Sequence, residues 1–349
     1  MSVVNVAMSN FVEQLRIWNT YKQVSAGIDY SDHIDYFSKL PCYHYTDIQS
    51  INSSNLDVLV IDNLTEGLHS KEYFTQYDKT KHYIIISNDT WNNETDSGLD
   101  DYTLIWQPFF LLDFVNTAIS CFKYNFYTNK LYDFSYPKDN VFMSTTGNVR
   151  PDRTHFMDRV LTDIPYNNFI YRYSGEDFGN PSNDLDLITF KKGEFDPYIP
   201  YINSEHFVNV SQTIPIDLYN SAYFNLVVET DHRLDNFFLT EKTVKCLVTG
   251  IPFVVLSTAN FLTGLHKLGF KTYATIWDES YDKILNFENR VEAIRELVHS
   301  LGNLDWKSKQ LELEQIANHN ARVLLGLDKF AHQCFNTLVE ELNECRRRH

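Results

Sequence analysis

The sequence predicts an α/β protein built from two doubly wound domains in series, followed by helices. Three observations carry that expectation. The 349-residue length suits two cores. Short apolar runs of β-branched and aliphatic residues recur at intervals and stop at turn-forming residues. Segments of helical spacing separate them.

The first runs are Leu56–Ile61, which stops at Asp62–Asn63, and His82–Ile86, which stops at Ser87–Asn88–Asp89. Both read as buried strands of a parallel sheet whose carboxyl edge carries turn and cap residues, the edge where open α/β sheets hold ligands. Leu104–Trp106 reads as a further strand, and Phe109–Tyr124 as a helix with Phe110, Phe114, Ala118 and Cys121 on one side. The pattern breaks in the mixture of Asn, Asp, Tyr and Pro between Thr128 and Asp139, which marks a domain boundary. We expect an N-terminal domain over 1–135, a second domain over 136–325, and a C-terminal helix over 326–349.

In the second half, Val141–Ser144, Phe169–Tyr173, Ala222–Val228 and Pro252–Leu256 read as strands. Thr240–Val248 has helical spacing and ends at Thr249–Gly250, where glycine suits a C-cap. Lys271–Ile276 is expected to be a strand, and Asp278–Leu285 and Asn289–Leu301 helices. Leu304–Arg348 reads as almost continuous helix, with Leu311, Ile316, Leu324 and Leu325 on its apolar side.

Composition narrows the function. With 30 Lys and Arg against 46 Asp and Glu, the net charge of −16 opposes unspecific binding to phosphate backbones. The five cysteines form no C-x-x-C pair, which argues against a zinc ribbon or disulfide framework and fits a cytoplasmic setting. No run approaches the roughly 20 apolar residues of a membrane span.

The segment richest in chemistry runs from Leu226 through Glu229, Thr230 and Asp231 to Phe238-Leu239-Thr240-Glu241-Lys242-Thr243. Thr240 is a suitable N-cap, which would turn the amides of Glu241–Thr243 toward an anion, and Lys242 can neutralise a phosphate. Glu241 can accept from a ribose diol, and Glu229 ends the preceding strand in the same region. The same residues also make an ordinary acidic helix start.

The order Tyr223-Phe224-Asn225-Leu226, Glu229, Phe238-Leu239-Thr240-Glu241-Lys242, Gly250-Ile251-Pro252 resembles the donor-binding core of the α-1,3-fucosyltransferases, and it is similar to glycosyltransferase-like proteins of bacteriophages. Phe142-Met143-Ser144, Gly147-Asn148 and Arg150 to Asp158 resemble the strand, loop and Arg-headed helix that open that family's nucleotide domain. The resemblance spans roughly residues 141 to 260. It implies the GT-B arrangement of two Rossmann-like domains facing a cleft, with the C-terminal helix crossing back to the first domain.

The resemblance further implies that Arg153, with Arg150 as nearby substitute, clamps the diphosphate. Glu241 would bind ribose hydroxyls, Lys242 a phosphate, and Glu229 would lie near the sugar or nucleotide. Phe238 stands where the fucosyltransferases carry Tyr, and Thr230-Asp231 replaces Asn-Ser, which leaves the donor open between a GDP-sugar and a UDP-sugar. No cofactor is expected. The D-x-D triplet Asp184-Leu185-Asp186 reads as a solvated loop, so transfer is expected to proceed without a metal.

An inverting transfer needs a base. Asp62, Glu66 and Asp89 are the candidates at the first domain's carboxyl edge, with His33 and His69 behind them. The expected activity is transfer of a sugar from a nucleotide diphosphate sugar to a glycan or protein. The alternatives are glycosylation of hydroxymethylated DNA bases, as in phage enzymes, and a non-catalytic nucleotide- or sugar-binding module.

Overall fold

The computed structural model describes residues 5–7, 31, 32, 35, 58–63, 82–87, 89–91, 102–106, 131–148, 150–174, 216–230, 232 and 236–348. The chain divides into two compact units, Met1–Lys123 with Gly326–His349, and Tyr124–Leu325.

The first unit contains β1 (Asn5–Ala7), β2 (Val58–Asn63), β3 (His82–Ser87), β4 (Asp89–Trp91) and β5 (Tyr102–Trp106). Four of them form a parallel sheet in the order β1-β2-β3-β5. The apolar runs at Val58–Ile61 and Tyr83–Ile86 pair directly, with Val60 opposite Ile84. β2 runs further than its apolar stretch. Asp62 pairs with Ile86 and Asn63 with Ser87, so Asp62 lies within the strand rather than in a turn beyond it. The ladder continues because a backbone hydrogen bond does not depend on side-chain polarity. The expected helix at Phe109–Tyr124 lies outside the described residues.

The second unit opens with β6 (Asn140–Asn148), α1 (Pro151–Leu161) and β7 (Phe169–Ser174). It continues through α2 (Ile216–Asn220), β8 (Ala222–Val228), β9 (Asn236–Phe238), α3 (Glu241–Thr249) and β10 (Phe253–Leu256). Then come α4 (Phe261–Lys267), a 3₁₀ turn at Ser280–Lys283, α5 (Phe287–Leu301) and the start of the long α6 (Trp306–Arg348), whose residues from Gly326 on belong to the first unit. The sheet order is β10-β8-β6-β7, all parallel.

That order contains a reversal. From β6 the chain passes through α1 to β7 on one side, and from β8 it passes through α3 to β10 on the other. The two central strands, β6 and β8, are neighbours whose crossovers diverge. Such a divergence at the carboxyl edge is the topological switch point where open parallel sheets leave a crevice.

Aromatic packing fixes the sheet. Phe142 of β6 stacks on Phe169 of β7, with ring centroids 5.2 Å apart, and lies 5.8 Å from Phe224 of β8. Trp306, at the start of α6, stacks on Tyr223 and Phe224 at 5.0 and 5.9 Å, and its indole donates to Leu301 O at 3.1 Å. α3 ends at Gly250, whose φ of 83° is the left-handed conformation a helix stop favours. A Cβ there would also stand 3.0 Å from Ala317 Cβ.

Three expectations are corrected. Lys271–Ile276 is not a strand, because its backbone is satisfied by side chains instead of a ladder. The Lys271 amide donates to Asn320 Oδ1, the Tyr273 amide donates to Glu279 Oε1, and Ile276 N turns back to Tyr273 O. Asp278–Leu285 is reduced to the 3₁₀ turn: Asp278 accepts from the Ser280 amide and hydroxyl, and Leu285 lies 76% exposed with no apolar face to bury. On α6 the buried stripe runs Trp306, Leu313, Ile316, Asn320 and Leu324, which leaves Leu311 68% exposed.

Candidate functional site

The switch point is dressed by two helix starts. After β6 comes Arg150, the extended N-cap of α1, with Pro151 next and Asp152 in the first turn. After β8 comes Glu229, whose amide extends the ladder to Leu256 O at 2.9 Å. The chain then passes through β9 to Thr240, the N-cap of α3.

Glu229 is fully buried. Its Oε2 accepts from the Thr240 hydroxyl at 2.5 Å, and its Oε1 accepts from the Thr243 hydroxyl at 2.5 Å and the Thr243 amide at 3.3 Å. The carboxylate therefore occupies the position at the α3 N-terminus that an external anion would otherwise take. Glu229, expected near the sugar or nucleotide, is tied by burial and three hydrogen bonds between β8 and α3. The Lys242 amide likewise turns to Thr240 Oγ1 at 3.4 Å, so two first-turn amides expected to point outward are used internally.

The side chains remain available to define the electrostatics. Lys242 Nζ donates to Glu241 Oε1 at 2.8 Å, Thr230 Oγ1 at 3.1 Å and Thr240 Oγ1 at 3.3 Å. Burial works to raise the Glu241 carboxyl, but Lys242 and Lys245 outweigh it and hold the group below the usual carboxylate range. Lys245 is half-buried, and burial pulls its ammonium down to about 8 against the opposing pull of Glu241.

Arg153 is 3% exposed. Burial and then Arg150 lower its guanidinium, while Asp152, Glu229 and Glu241 act to raise it. An arginine stays charged under such shifts. Its electrical neighbours therefore include residues of both helix starts. Among the described residues of this edge, Arg150, Arg153, Lys242 and Lys245 stand against Asp152, Glu229 and Glu241, in a chain whose overall charge is −16.

One contact had no signature in the sequence. His232 Nε2 lies 3.2 Å from Asp152 Oδ2, its ring packs on Phe287 with centroids 4.6 Å apart, and its carbonyl accepts from Arg290 at 2.6 Å. An isolated histidine in an acidic stretch carries no spacing to read. Lys245 and Thr243 were legible in principle, because they stand at i+4 from Glu241 and i+3 from Thr240.

Phe238 is buried in β9 at 2% exposure. In the first unit, Asp62 lies in β2 and Asp89 opens β4, while Glu66, His33, His69 and the Asp184–Asp186 triplet lie outside the described residues. Among the described residues, no three His, Cys, Asp or Glu side chains gather to hold a metal ion, and no helix is long and apolar enough to cross a membrane.

No protein-family model matches the sequence, and no curated protein matches it. Among solved structures, the chain is similar to one described as the crystal structure of alpha1,3-fucosyltransferase. The identity is 12%, over 96% of this chain and 90% of that one, with a TM-score of 0.37.

Proposed function

We propose that the chain is a glycosyltransferase that takes its sugar from a nucleotide diphosphate sugar. The observation that carries this reading is electrostatic and topological. Arg153 and the Glu241–Lys242–Lys245 group belong to helix starts that leave neighbouring parallel strands in opposite directions, and Arg153 feels the charge of Glu241 directly. A cationic switch point suits a diphosphate.

In such a transfer the bond between the anomeric carbon and the phosphate oxygen breaks, and its electron pair leaves with the nucleoside diphosphate. An acceptor hydroxyl oxygen forms the new bond and yields its proton to a base. Arg153, Lys242 and Lys245 would offset the charge growing on the leaving group, the largest kind of contribution in such catalysis, in place of a metal. Glu241 would meet the ribose hydroxyls. Asp62, Glu66 and Asp89 stand as base candidates on the first unit, with the second unit as the donor side and the C-terminal helix returning to the first, in the GT-B manner. We favour a glycan or protein acceptor over DNA, because a net charge of −16 repels a polyanion. The donor is a GDP- or UDP-sugar.

The test is thermal. UDP, GDP and their sugars at about 100 times the dissociation constant would stabilise the fold by about 2.7 kcal/mol. Arg153→Ala and Lys242→Ala would lose that stabilisation, and nucleoside diphosphate would appear only with a suitable acceptor. No melting shift with any nucleotide would refute the reading; a shift without turnover against any acceptor would support the binding module.

A further inference from the structure

We infer that His232 is a positioning residue of this edge: it draws the Asp152 carboxylate toward the protein interior, so that an incoming diphosphate meets Arg150 and Arg153 without the opposing charge that stands between them in the chain. The inference rests on the donor-site reading above and adds to it a residue that never touches the ligand.

The difficulty is set by the sequence. α1 opens Arg150-Pro151-Asp152-Arg153, which places a carboxylate in the first turn between two guanidinium groups. An acidic first turn suits the helix dipole. It also competes with any phosphate brought to the same turn, because both anions are drawn by the same amides and cations.

A histidine from the neighbouring strand end meets that carboxylate. His232 follows β8, whereas α1 follows β6, so their contact joins the two segments that diverge at the switch point. His232 Nε2 lies 3.2 Å from Asp152 Oδ2, and the two side chains are 1% and 18% exposed. The Asp152 charge is therefore engaged from the inside. Arg150, at the N-cap, stays half-buried beside it.

α5 holds the imidazole in place. The ring lies against Phe287, with centroids 4.6 Å apart, and the His232 carbonyl accepts from Arg290 at 2.6 Å. Arg290 is itself buried and also donates to Ile284 O at 2.5 Å, next to Asp282, whose Oδ1 accepts from the Leu262 amide at 2.9 Å. The same helix is bound to α1 by Arg159 with Glu292 at 2.8 Å and His155 with Glu288 at 2.9 Å. One element thus backs both the histidine and the helix that carries Asp152, which sets the distance between them.

Titration calorimetry of the full chain with UDP and GDP tests this, with urea unfolding as the check on folding. His232→Leu keeps an apolar side chain against Phe287 and leaves the Arg290 contact, which is to the main chain. It should bind roughly tenfold more weakly than wild type, the scale of one like charge left uncompensated beside the ligand. Asp152→Asn in the same chain should restore the wild-type affinity, which a merely structural loss of His232 would not allow. Asp152→Asn alone should bind at least as tightly as wild type, and His232→Gln, which keeps a donor for the carboxylate, should fall between wild type and His232→Leu. A folded His232→Leu that binds like wild type, or a loss that Asp152→Asn does not restore, overturns the inference. Should His232→Leu fail to fold, weaker binding by Asp152→Asn than by wild type overturns it instead. If neither nucleotide binds the wild type, the donor-site reading falls and this one with it; binding that is lost in Arg153→Ala but unchanged in His232→Leu removes His232 only.

Discussion

Glu229 and Thr243 are joined twice, since the Thr243 hydroxyl at 2.5 Å and its amide at 3.3 Å both donate to Glu229 Oε1. A residue that ends a strand thereby supplies the counter-charge for the start of the next helix. The tie links β8 to α3 without passing through the loop between them, and it fixes where Glu241, Lys242 and Lys245 emerge.

Replacing this carboxylate with an amide keeps the shape and removes the charge. Glu229→Gln places an NH₂ group against hydroxyls that must then reverse, and it loses the favourable interaction with the helix dipole. We expect a destabilisation of about 2 kcal/mol in urea unfolding, in the range of buried bonds to charged groups. A change below about 0.5 kcal/mol would show that the buried charge contributes nothing.

Glu279 should give stability a pH dependence of the opposite sense to acid denaturation. Burial raises its carboxyl, and the Asp282 and Asp278 charges add to this, although Thr272 donates to Oε2 at 2.6 Å and the Tyr273 amide to Oε1 at 2.8 Å. A folded-state value above the unfolded one, about 4.3, means that the folded protein binds the proton more tightly. The contribution is complete below the unfolded value and disappears as pH rises through the folded one. The stability of wild type minus that of Glu279→Gln should therefore decrease from pH 4 to pH 7. Urea unfolding at several pH values checks it, and a flat or rising difference would contradict it.

The sheet of the second unit was legible because its strands announce themselves. Ala222–Val228 has the bounds of its apolar run, and α3 begins and ends at the Thr240 and Gly250 caps that its composition offers. The failures share a cause. Lys271–Ile276 has strand-like composition, but Asn320, 49 residues away, takes the Lys271 amide. Leu311 has the right chemistry and the wrong azimuth on α6. At the site, Thr240, Glu241 and Lys242 were legible as a helix start. The inward commitment of Glu229 was not, because a strand-end glutamate reads the same whether it meets a ligand or the adjacent helix.

Gly264 lies inside α4, where alanine ordinarily gains up to about 1 kcal/mol. Here a Cβ would fall 2.2 Å from Phe237 Cδ2, and Phe237 is itself packed on Phe261 with centroids 5.2 Å apart. Overpacking costs about 1–3 kcal/mol and outweighs the helical gain. Gly264→Ala should melt several degrees below wild type in a calorimetric scan; a higher melting temperature would mean that the Phe237 ring gives way freely.

Thr240 and Thr243 hold the two oxygens of one carboxylate, so their losses should not add. Thr240→Ala removes an N-cap, worth about 1 kcal/mol, and leaves Glu229 Oε2 without its donor. Thr243→Ala removes the hydroxyl donor to Oε1 but leaves the amide. With both gone, Glu229 keeps a single amide contact and the carboxylate can reorient, which relieves part of the cost of leaving it unpaired. The double variant should therefore be less destabilised than the singles predict together, by at least about 0.5 kcal/mol, the scale for residues that share a partner. Urea unfolding of the wild type, both single variants and the double variant measures this directly. Strict additivity would mean that the two hydroxyls act on Glu229 independently, and that the tie between β8 and α3 is not a single electrostatic unit.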